Sequence, residues 1–406
     1  MMENINYKRQ NYLQKIIPFI NKPVIKIITG IRRCGKSYFL KQIINELTSQ
    51  KVDSKQIIYI NKELVKFDFI KNYENLYSYI SKNFENVKKQ KYVFIDEVQE
   101  IEQWERAVIS LFAENEYDIY ITGSNAHLLS SEIATLISGR YIEINLFPLD
   151  FSEFLQFRNT KTPDLDVEFN LYLQYGGFPV IHFFDYNEEL IFQYVQSLYS
   201  TILLKDIVSR YNIRNVQLFE NLTKYVFSNI GNIFSGNSIN KYLKAQNINI
   251  GLDTIQNYLQ YLESSYLIHK VKRYDLKGKR ILEIYEKYYL TDLAIKNANT
   301  GYQQKDISGM LENIVFLKLK QLDYQIFIGK YGDNEIDFVA QKGENKIYIQ
   351  VAYLLESENT IKREFGILQQ IPDNFPKYVI SMDKLPKTNN EGIIRMNMLD
   401  FLLNFK

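Results

Sequence analysis

Residues 30–37 read Gly-Ile-Arg-Arg-Cys-Gly-Lys-Ser and match the phosphate-binding pattern G-x-x-x-x-G-K-[ST]. The apolar run 24–28 precedes this stretch and predicts a buried strand, and residues 37–44 follow it with helical spacing. In that context the backbone N–H groups of a glycine-rich turn converge on phosphates, and the helix N-terminus favours an anion. The stretch therefore predicts an α/β fold with a nucleotide site.

The predicted loop supplies the candidate nucleotide contacts. Gly30 and Gly35 permit the turn, Lys36 would reach the β- and γ-phosphates, and Ser37 would bind Mg²⁺. The complete set of candidate contacts is Gly30, Ile31, Arg32, Arg33, Cys34, Gly35, Lys36, Ser37 and Tyr38.

Cys34 is the only cysteine of the chain. It lies near a predicted helix N-terminus and beside Arg32, Arg33 and Lys36, and such cationic surroundings favour the thiolate. Two interpretations stay open, which are a reactive thiol that ATP protects and an inert small residue that fills the loop. A single cysteine also excludes an internal disulfide and suits a reducing compartment.

A second motif lies about sixty residues further along the chain. Residues 91–95 predict another buried strand, which ends in the adjacent acids Asp96 and Glu97. In a nucleotide-binding sheet the first acid orients Mg²⁺ and its waters, and the second polarises the attacking water. Together with the loop, this pair predicts a site for ATP or GTP.

Two further strands are predicted at 118–125 and 141–146. The first ends in small polar groups that include Ser124 and Asn125, and these could hold the attacking water. Arg140 precedes the second strand, after a helix that is predicted to start near His127. Arg140 is either a finger to the phosphate of a neighbouring subunit or a cation that stabilises a helix C-terminus, and position alone favours the second.

Composition limits the remaining classes of protein. The 406 residues suggest two to four domains. The 49 basic and 47 acidic residues nearly balance, which gives no global signal for nucleic acid. The sequence shows no apolar leader and no stretch of eighteen apolar residues. We therefore expect a cytoplasmic protein without membrane contact.

Several motifs follow one another along the chain, which are residues 30–37, 95–99 with Trp104, 122–124, 138–140, Pro148-Leu149 with Phe151 and Glu153, and 175–179. Their order resembles that of the prokaryotic AAA-type P-loop ATPases with a C-terminal domain of unknown function. The resemblance implies ATP and Mg²⁺ as cofactors, Ser124 or Asn125 as the sensor residue, Arg140 as the finger and a helical lid at 151–225.

The stretch 238–290 predicts a winged-helix-like module. Amphipathic helices at 238–245 and 252–264 precede alternating runs around 267–271 and 281–290, which predict a hairpin. The module suggests DNA as a partner, with Lys277, Lys279 and Arg280 at the hairpin tip contacting phosphates. The presumed reading helix, however, contains no Lys or Arg, so a packing role stays open.

The last hundred residues predict a further α/β unit. A helix at 310–319 is followed by strands at 324–328, 335–340 and 346–351, then by a helix and a final strand at 377–381. This order resembles the restriction-endonuclease-like core.

Only part of a nuclease site is present in this unit. Glu312 and Asp337 match acidic positions of that core, whereas Gln350 and Ala352 stand where a metal-binding acid and a lysine are needed. Glu335 could in principle supply the missing acid. We expect a domain that serves packing or partner recognition and has no nuclease activity.

These patterns predict four modules, which are an AAA-type ATPase core at 1–150, a helical lid at 151–225, a winged-helix-like module at 226–300 and a degenerate restriction-endonuclease-like domain at 301–406. We expect Mg-dependent ATP hydrolysis that drives or gates a conformational change on a nucleic-acid or protein partner, and self-association is compatible with this role. The alternative is a slow nucleotide-dependent switch or scaffold that acts through protein contacts without any activity on DNA.

Overall fold

The computed structural model describes residues 7–126, 137, 139–232, 236–245, 248, 250–384 and 387–405. The chain forms two compact units. Unit 1 comprises Met1–Pro148 with Ser264–Tyr266, and unit 2 comprises Leu149–Glu263 with Leu267–Lys406. Within the described ranges, no helix is both long enough and apolar enough to cross a bilayer.

Unit 1 is built on a five-stranded sheet in which all strands are parallel. The spatial order is β2-β3-β4-β1-β5. The mixed α/β fold and the strand–loop–helix arrangement predicted from the sequence are confirmed. The strands are β1 (Ile25–Thr29), β2 (Ile57–Asn61), β3 (Lys91–Asp96), β4 (Tyr117–Gly123) and β5 (Tyr141–Asn145), and the described α-helices are α1 (Gln10–Ile16), α2 (Lys36–Ser49), α3 (Tyr73–Asn83) and α4 (Trp104–Ala113).

The central strands of unit 1 are buried on both faces, which explains their continuous apolar runs. Alternate residues of β1, β3 and β4, among them Ile27, Ile95 and Ile121, form one core with the apolar sides of α3 and α4. On β1 and β4, Lys26 and Asp118 lie out of that pattern and form a fully buried ion pair.

Because the strands are parallel, their carboxyl ends lie at one edge of the sheet. The glycine-rich loop follows β1, Asp96 ends β3, and Thr122 lies at the end of β4, between those two strands. The sheet order thus brings three segments that are distant in sequence to the same edge.

Unit 2 combines helices with an eight-stranded sheet in the order β12-β13-β11-β10-β9-β8-β6-β7. The helices are α5 (Phe151–Arg158), α6 (Leu165–Tyr175), α7 (Glu188–Thr201), which continues through a π-helical segment (Ile202–Val208) into α8 (Ser209–Tyr211), then α9 (Val216–Ser228), α10 (Gly236–Ala245), α11 (Leu252–Ser264), α12 (Leu293–Thr300), α13 (Ile307–Gln321), α14 (Glu358–Gln369) and α15 (Met398–Asn404). The strands are β6 (Ile268–Asp275), β7 (Arg280–Leu290), β8 (Gln325–Tyr331), β9 (Asn334–Lys342), β10 (Asn345–Val351), β11 (Lys377–Ser381), β12 (Thr388–Asn390) and β13 (Ile393–Asn397).

Two features of this sheet differ from the sequence expectation. The prediction that residues 377–381 form the final strand is wrong, because β12, β13 and α15 follow them. In addition, the hairpin β6–β7 forms the edge of the same sheet as the C-terminal strands, since Arg273–Asp275 pair in parallel with Ile328–Lys330. The chain between β6 and β8 includes α13, and alternating apolar runs alone do not predict that these two strands pair.

A glycine pair in unit 2 encloses a buried carboxylate. Gly177 N–H donates to Asp292 Oδ2 over 2.8 Å, and Asp292 also caps α12 by accepting from the Ala294 N–H. Gly176 has a φ of +70°, and a Cβ at this position would lie 1.8 Å from Asp292 Oδ1. The 175–179 motif therefore has a packing reason, because only glycine leaves room for this capping aspartate.

We expect Gly176→Ala to destabilise unit 2 by at least about 2 kcal/mol, because the new Cβ meets Asp292 in a backbone region that is almost restricted to glycine. Gly366→Ala is the matched control. Gly366 lies within α14 and a Cβ there meets nothing within 4 Å, so alanine should stabilise the helix by up to about 1 kcal/mol. Urea denaturation followed by circular dichroism measures both effects, and equal midpoints for the two variants would contradict this account of the glycine pair.

Candidate functional site

The loop between β1 and α2 has the backbone that its glycines permit. Gly30 and Gly35 have φ angles of +144° and +107°. A Cβ at Gly30 would lie 2.2 Å from the Leu146 carbonyl oxygen, so no larger residue fits there. Helix α2 starts at Lys36, after Gly35 at the N-cap position. The N–H groups of its first turn have no acceptor within the helix and point into the loop, which suits an anion.

Lys36 carries the positive charge of this loop. Only 4% of the residue is exposed. Its Nζ donates to the carbonyl oxygens of Gly30 and Ile31 over 3.0 and 3.2 Å, and it lies 3.8 Å from Glu97 Oε1. The ammonium thus lies between the loop and the second acid of the β3 motif.

Asp96 lies fully buried at the end of β3, and both of its carboxylate oxygens accept hydrogen bonds. Tyr59 on β2 donates to Oδ2 over 2.8 Å, and Thr122 on β4 donates to Oδ1 over 2.6 Å. Burial and the neighbouring Asp96 raise the pKa of Tyr59, so the phenol keeps its proton at neutral pH.

Glu97 adopts the left-handed backbone conformation, with φ +58° and ψ 54°. For a residue other than glycine this costs about 1–2 kcal/mol, and the Glu97 N–H is held by Thr122 Oγ1 at 3.0 Å. Burial alone would raise the pKa of Glu97. Lys36 and hydrogen bonds from Gln99 and Ser124 outweigh this effect and hold the pKa below its ordinary value.

Ser124 lies within hydrogen-bond distance of Glu97, since its hydroxyl donates to Oε2 over 3.1 Å. Asn125 lies next to it and is buried as well. The structure therefore places the loop lysine, both acids and the Ser124 hydroxyl together at one edge of the sheet.

Arg140 is not part of this cluster. Its carbonyl oxygen accepts from the N–H of Ile25, the first residue of β1, whereas the loop follows the last residue of that strand. Five residues of extended chain span about 16 Å, so Arg140 lies at the opposite edge of the sheet from the loop of its own chain. Its side chain is exposed. The helix that was predicted to start near His127 lies outside the described residues.

The remaining loop residues differ in exposure. Ile31 is buried and Arg33 is exposed, while Arg32 lies 3.9 Å from Glu63 Oε1. Ser37 and Tyr38 are half-buried at the start of α2.

Of the two interpretations of Cys34, the structure favours the inert residue. The residue is fully buried, and burial raises the pKa of its thiol despite the neighbouring Lys36 and Arg9. Flanking cations in the sequence favour a thiolate only where water still reaches the sulfur, and here it does not. Cys34 thus matches the second interpretation, a small residue that fills the loop.

Three contributors to this site were not found from the sequence. Tyr59 and Thr122 hold Asp96, and Arg9 donates from its guanidinium to the carbonyl oxygens of Cys34 and Phe147 over 3.3 and 3.0 Å. Thr122 lies in the predicted strand 118–125, and its polar side chain beside apolar residues is the feature of the sequence that could indicate its role. Arg9 and Tyr59 belong to no motif, since their contacts come from the strand order and the docking of α1.

A second charged cluster lies in unit 2, around Lys287 of β7. Its Nζ lies 2.8 Å from Glu312 Oε1 on α13, 2.8 Å from Glu335 Oε1 on β9 and 3.8 Å from Asp337 Oδ1. Burial alone would lower the pKa of Lys287, but the three carboxylates outweigh it and raise the pKa. The Tyr289 hydroxyl donates to the same Glu312 oxygen over 2.5 Å.

The two acids predicted from the restriction-endonuclease resemblance therefore do come together, with Glu335 beside them. Between them lies the ammonium of Lys287 from the hairpin, a residue that no sequence pattern connects with this site. Gln350 accepts from the Asp337 N–H over 2.7 Å and donates to Glu364 over 2.8 Å, so it takes part in the hydrogen bonding of the sheet. Ala352 is buried and contributes only apolar surface. Among the described residues, no group of three or more His, Cys, Asp or Glu side chains has a geometry that could hold a metal ion.

The donors at the edge of the unit 1 sheet fit a nucleotide with its magnesium ion. The N-terminus of α2 and the buried ammonium of Lys36 suit phosphate oxygens. The Asp96 carboxylate and the Ser37 hydroxyl offer the oxygen donors that Mg²⁺ prefers. A parallel sheet with this loop and this acidic strand end is the arrangement of the P-loop ATPases of the AAA type.

The comparisons agree with that class. Residues 22–155 match the family described as an AAA domain, and residues 167–306 match a domain of unknown function. An uncharacterised protein of Haemophilus influenzae is 34% identical over 99% of this chain and 100% of its own length. An uncharacterised protein of Methanocaldococcus jannaschii is 34% identical over 95% of this chain and 86% of its own length. The chain belongs to the same family as these proteins, and its N-terminal part matches a P-loop domain of the AAA type.

Among solved structures, the Walker-type ATPase PABY2304 of Pyrococcus abyssi is similar to this chain with a TM-score of 0.50 and 15% sequence identity. The similarity covers 72% of this chain and 95% of that protein. At this identity the similarity concerns the fold, and it supports the α/β architecture described above.

Proposed function

We propose that this protein binds ATP together with Mg²⁺ and hydrolyses it, and that the cycle drives or gates a conformational change on a partner. The observation that carries the proposal is the position of Glu97, whose carboxylate lies 3.8 Å from the Lys36 ammonium, accepts from Ser124 and directly follows Asp96. A carboxylate at the edge of a phosphate loop, beside the lysine that would contact the phosphates, is placed to orient and polarise the attacking water.

The chain's own groups have separate tasks in this proposal. The loop N–H groups and Lys36 bind the β- and γ-phosphates, and Ser37 and Asp96 would hold Mg²⁺, which neutralises phosphate charge when bound. Glu97 orients and polarises the attacking water, while Ser124 with Asn125 fixes the position of that water and of Glu97. The other candidate contacts of the loop, from Ile31 to Cys34 and Tyr38, shape the site.

Substitution of Lys36 and substitution of Glu97 should have different effects. Lys36→Ala should lose most nucleotide affinity, because the phosphates lose their buried cation. Glu97→Gln should keep nucleotide binding and slow turnover by about 10²–10⁴-fold, since water activation acts mainly in the transition state. Equilibrium binding of a fluorescent ATP analogue and phosphate release measure the two effects.

Glu102→Gln removes an exposed carboxylate nearby and serves as the control. Turnover of Glu97→Gln at the rate of the Glu102→Gln control would remove Glu97 from the catalytic role.

We propose that Arg140 acts on a neighbouring copy of the chain, because it lies at the opposite edge of the sheet from its own loop and its side chain is exposed. Turnover per chain should then rise with protein concentration as oligomers form. At a protein concentration that saturates this rise, Arg140→Ala should turn over ATP about 10³-fold or more slowly than the wild type, while it still binds nucleotide. Arg106→Ala, which removes another exposed arginine of unit 1, is the control. A turnover number that stays constant from monomer to oligomer argues for a capping role at a helix terminus.

For the partner, we propose duplex DNA at the 238–290 module as the first candidate. Helices α10 and α11 followed by the hairpin β6–β7 have the winged-helix order, and Lys277, Lys279 and Arg280 are exposed at the hairpin tip. Exposed Lys241 and Lys244 on α10 add positive charge.

The alternative is a slow switch that acts on a protein partner, and one observation favours it. The exposed side chains of α11 offer phosphates no cation, since they are Leu252, Asp253, Gln256, Asn257 and Gln260. Turnover with and without duplex DNA at low salt distinguishes the two candidates, since stimulation supports DNA and indifference supports the switch. We also propose that residues 151–225 form a lid and that the chain has the four modules predicted from the sequence.

We propose that the C-terminal module has no nuclease activity, because Lys287 already compensates the carboxylates that would hold a metal ion. Linear and circular DNA should remain intact with Mg²⁺ or Mn²⁺, with and without ATP. Lys287→Met should destabilise unit 2 by about 1–3 kcal/mol, because it leaves three half-buried carboxylates without the cation that they share.

The control is Lys270→Met on the neighbouring strand. Lys270 pairs with Glu286 over 2.7 Å but is one-third exposed, so its loss should cost about 0–1 kcal/mol. Cleavage by the wild-type chain that disappears in Asp337→Ala would contradict the assignment.

A further inference from the structure

The carboxylate of Asp96 is held from both neighbouring strands. Tyr59 of β2 donates to Oδ2 over 2.8 Å, and Thr122 of β4 donates to Oδ1 over 2.6 Å. Because β3 lies between β2 and β4, the carboxylate cannot rotate without breaking both hydrogen bonds. An ionised carboxylate has about four acceptor sites, so each oxygen keeps capacity for a metal ion or its water.

The Thr122 hydroxyl also reaches the second acid. Its Oγ1 accepts from the Glu97 N–H over 3.0 Å while its proton goes to Asp96. A hydroxyl has one proton and two lone pairs, so both bonds form at the same time. One side chain therefore fixes the carboxylate of Asp96 and the backbone of Glu97.

The backbone of Glu97 needs such a fixed point. Its φ of +58° is uncommon for a residue with a side chain. This conformation directs the carboxylate toward Ser124 and Lys36, with the contacts of 3.1 and 3.8 Å described above. A relaxed backbone at this residue would carry the carboxylate away from both partners.

We propose that Thr122 and Tyr59 are positioning residues of this site. Thr122 couples the acid that would face Mg²⁺ to the acid that polarises water, and Tyr59 fixes the first acid alone. The inference rests on the proposed ATP hydrolysis and deepens it. Loss of Tyr59 should alter only the response to Mg²⁺, whereas loss of the Thr122 hydroxyl should alter that response and the catalytic step together.

Three variants test this division. Thr122→Val keeps the shape and removes the hydroxyl, and Thr122→Ser keeps the hydroxyl and removes the methyl group. Tyr59→Phe removes the hydrogen bond to Asp96 and the longer one, over 3.3 Å, that the Tyr59 hydroxyl accepts from Asn61. ADP binding is measured without metal and across a Mg²⁺ titration, and turnover is measured at saturating Mg²⁺. Thermal unfolding of the metal-free proteins checks that each variant folds.

Thr122→Val and Tyr59→Phe should raise the Mg²⁺ concentration for half-maximal tightening of ADP binding by about 10–100-fold, the usual effect of removing a partner of a metal-facing ligand. Metal-free ADP affinity should stay at the wild-type value. At saturating Mg²⁺, Tyr59→Phe should recover wild-type turnover while Thr122→Val stays slow. Thr122→Ser should resemble the wild type in every measurement.

Wild-type Mg²⁺ dependence in both Thr122→Val and Tyr59→Phe would overturn the inference. A defect in Thr122→Val that Thr122→Ser shares would also overturn the coupling, because it would assign the effect to the methyl group. If the wild-type chain binds Mg²⁺ and ADP but does not turn over ATP, the proposed hydrolysis fails and the Mg²⁺ titration still decides the positioning roles. A wild-type chain that binds no nucleotide would overturn both.

Discussion

The nucleotide site depends on two opposite charges that share a nearly dry pocket. Lys36 and Glu97 have little access to water, and a charge in such surroundings persists only with a partner. The lysine offsets the burial of Glu97 and lowers its pKa, while the glutamate adds an acceptor to the two loop carbonyls that Lys36 already contacts. The loop thus holds its cation in place before any phosphate arrives. Preorganisation of this kind reduces the cost of ordering charged groups when the ligand binds.

Unit 2 contains a second cluster of opposite charges, at the place where the sequence indicated part of a nuclease site. Three half-buried carboxylates converge on the buried Lys287 ammonium. Burial and the nearby Glu312 raise the pKa of Asp337 well above its usual value, while Lys287 opposes this effect. The lysine thus compensates part of the negative charge that the fold brings together here.

The sequence was sufficient where local chemistry decides structure. Short stretches of sequence were enough to predict the phosphate loop and the strand end beside it. These stretches are the glycine pattern of 30–37, the apolar run that precedes it and the acids at 96 and 97. It was insufficient where a role depends on contacts across strands. Tyr59 has no local mark, because only the neighbouring position of β2 and β3 brings its hydroxyl to Asp96. The two interpretations of Cys34 stayed open for a related reason, since its flanking charges are visible in the sequence and its burial is not.

The same limitation explains the hairpin β6–β7. Its alternating pattern predicted a wing that belongs to the helices before it, yet its partners in the sheet are strands that come after it. Lys287 and Tyr289 on β7 both contact Glu312 of α13, so separating the hairpin from the C-terminal strands would leave half-buried acids without their cation. The hairpin is therefore held to the C-terminal sheet by strand pairing and by this charged cluster. A boundary drawn from the sequence pattern at residue 300 separates residues that the fold brings together, because a hairpin pattern specifies its own two strands and not the strand that pairs with their edge.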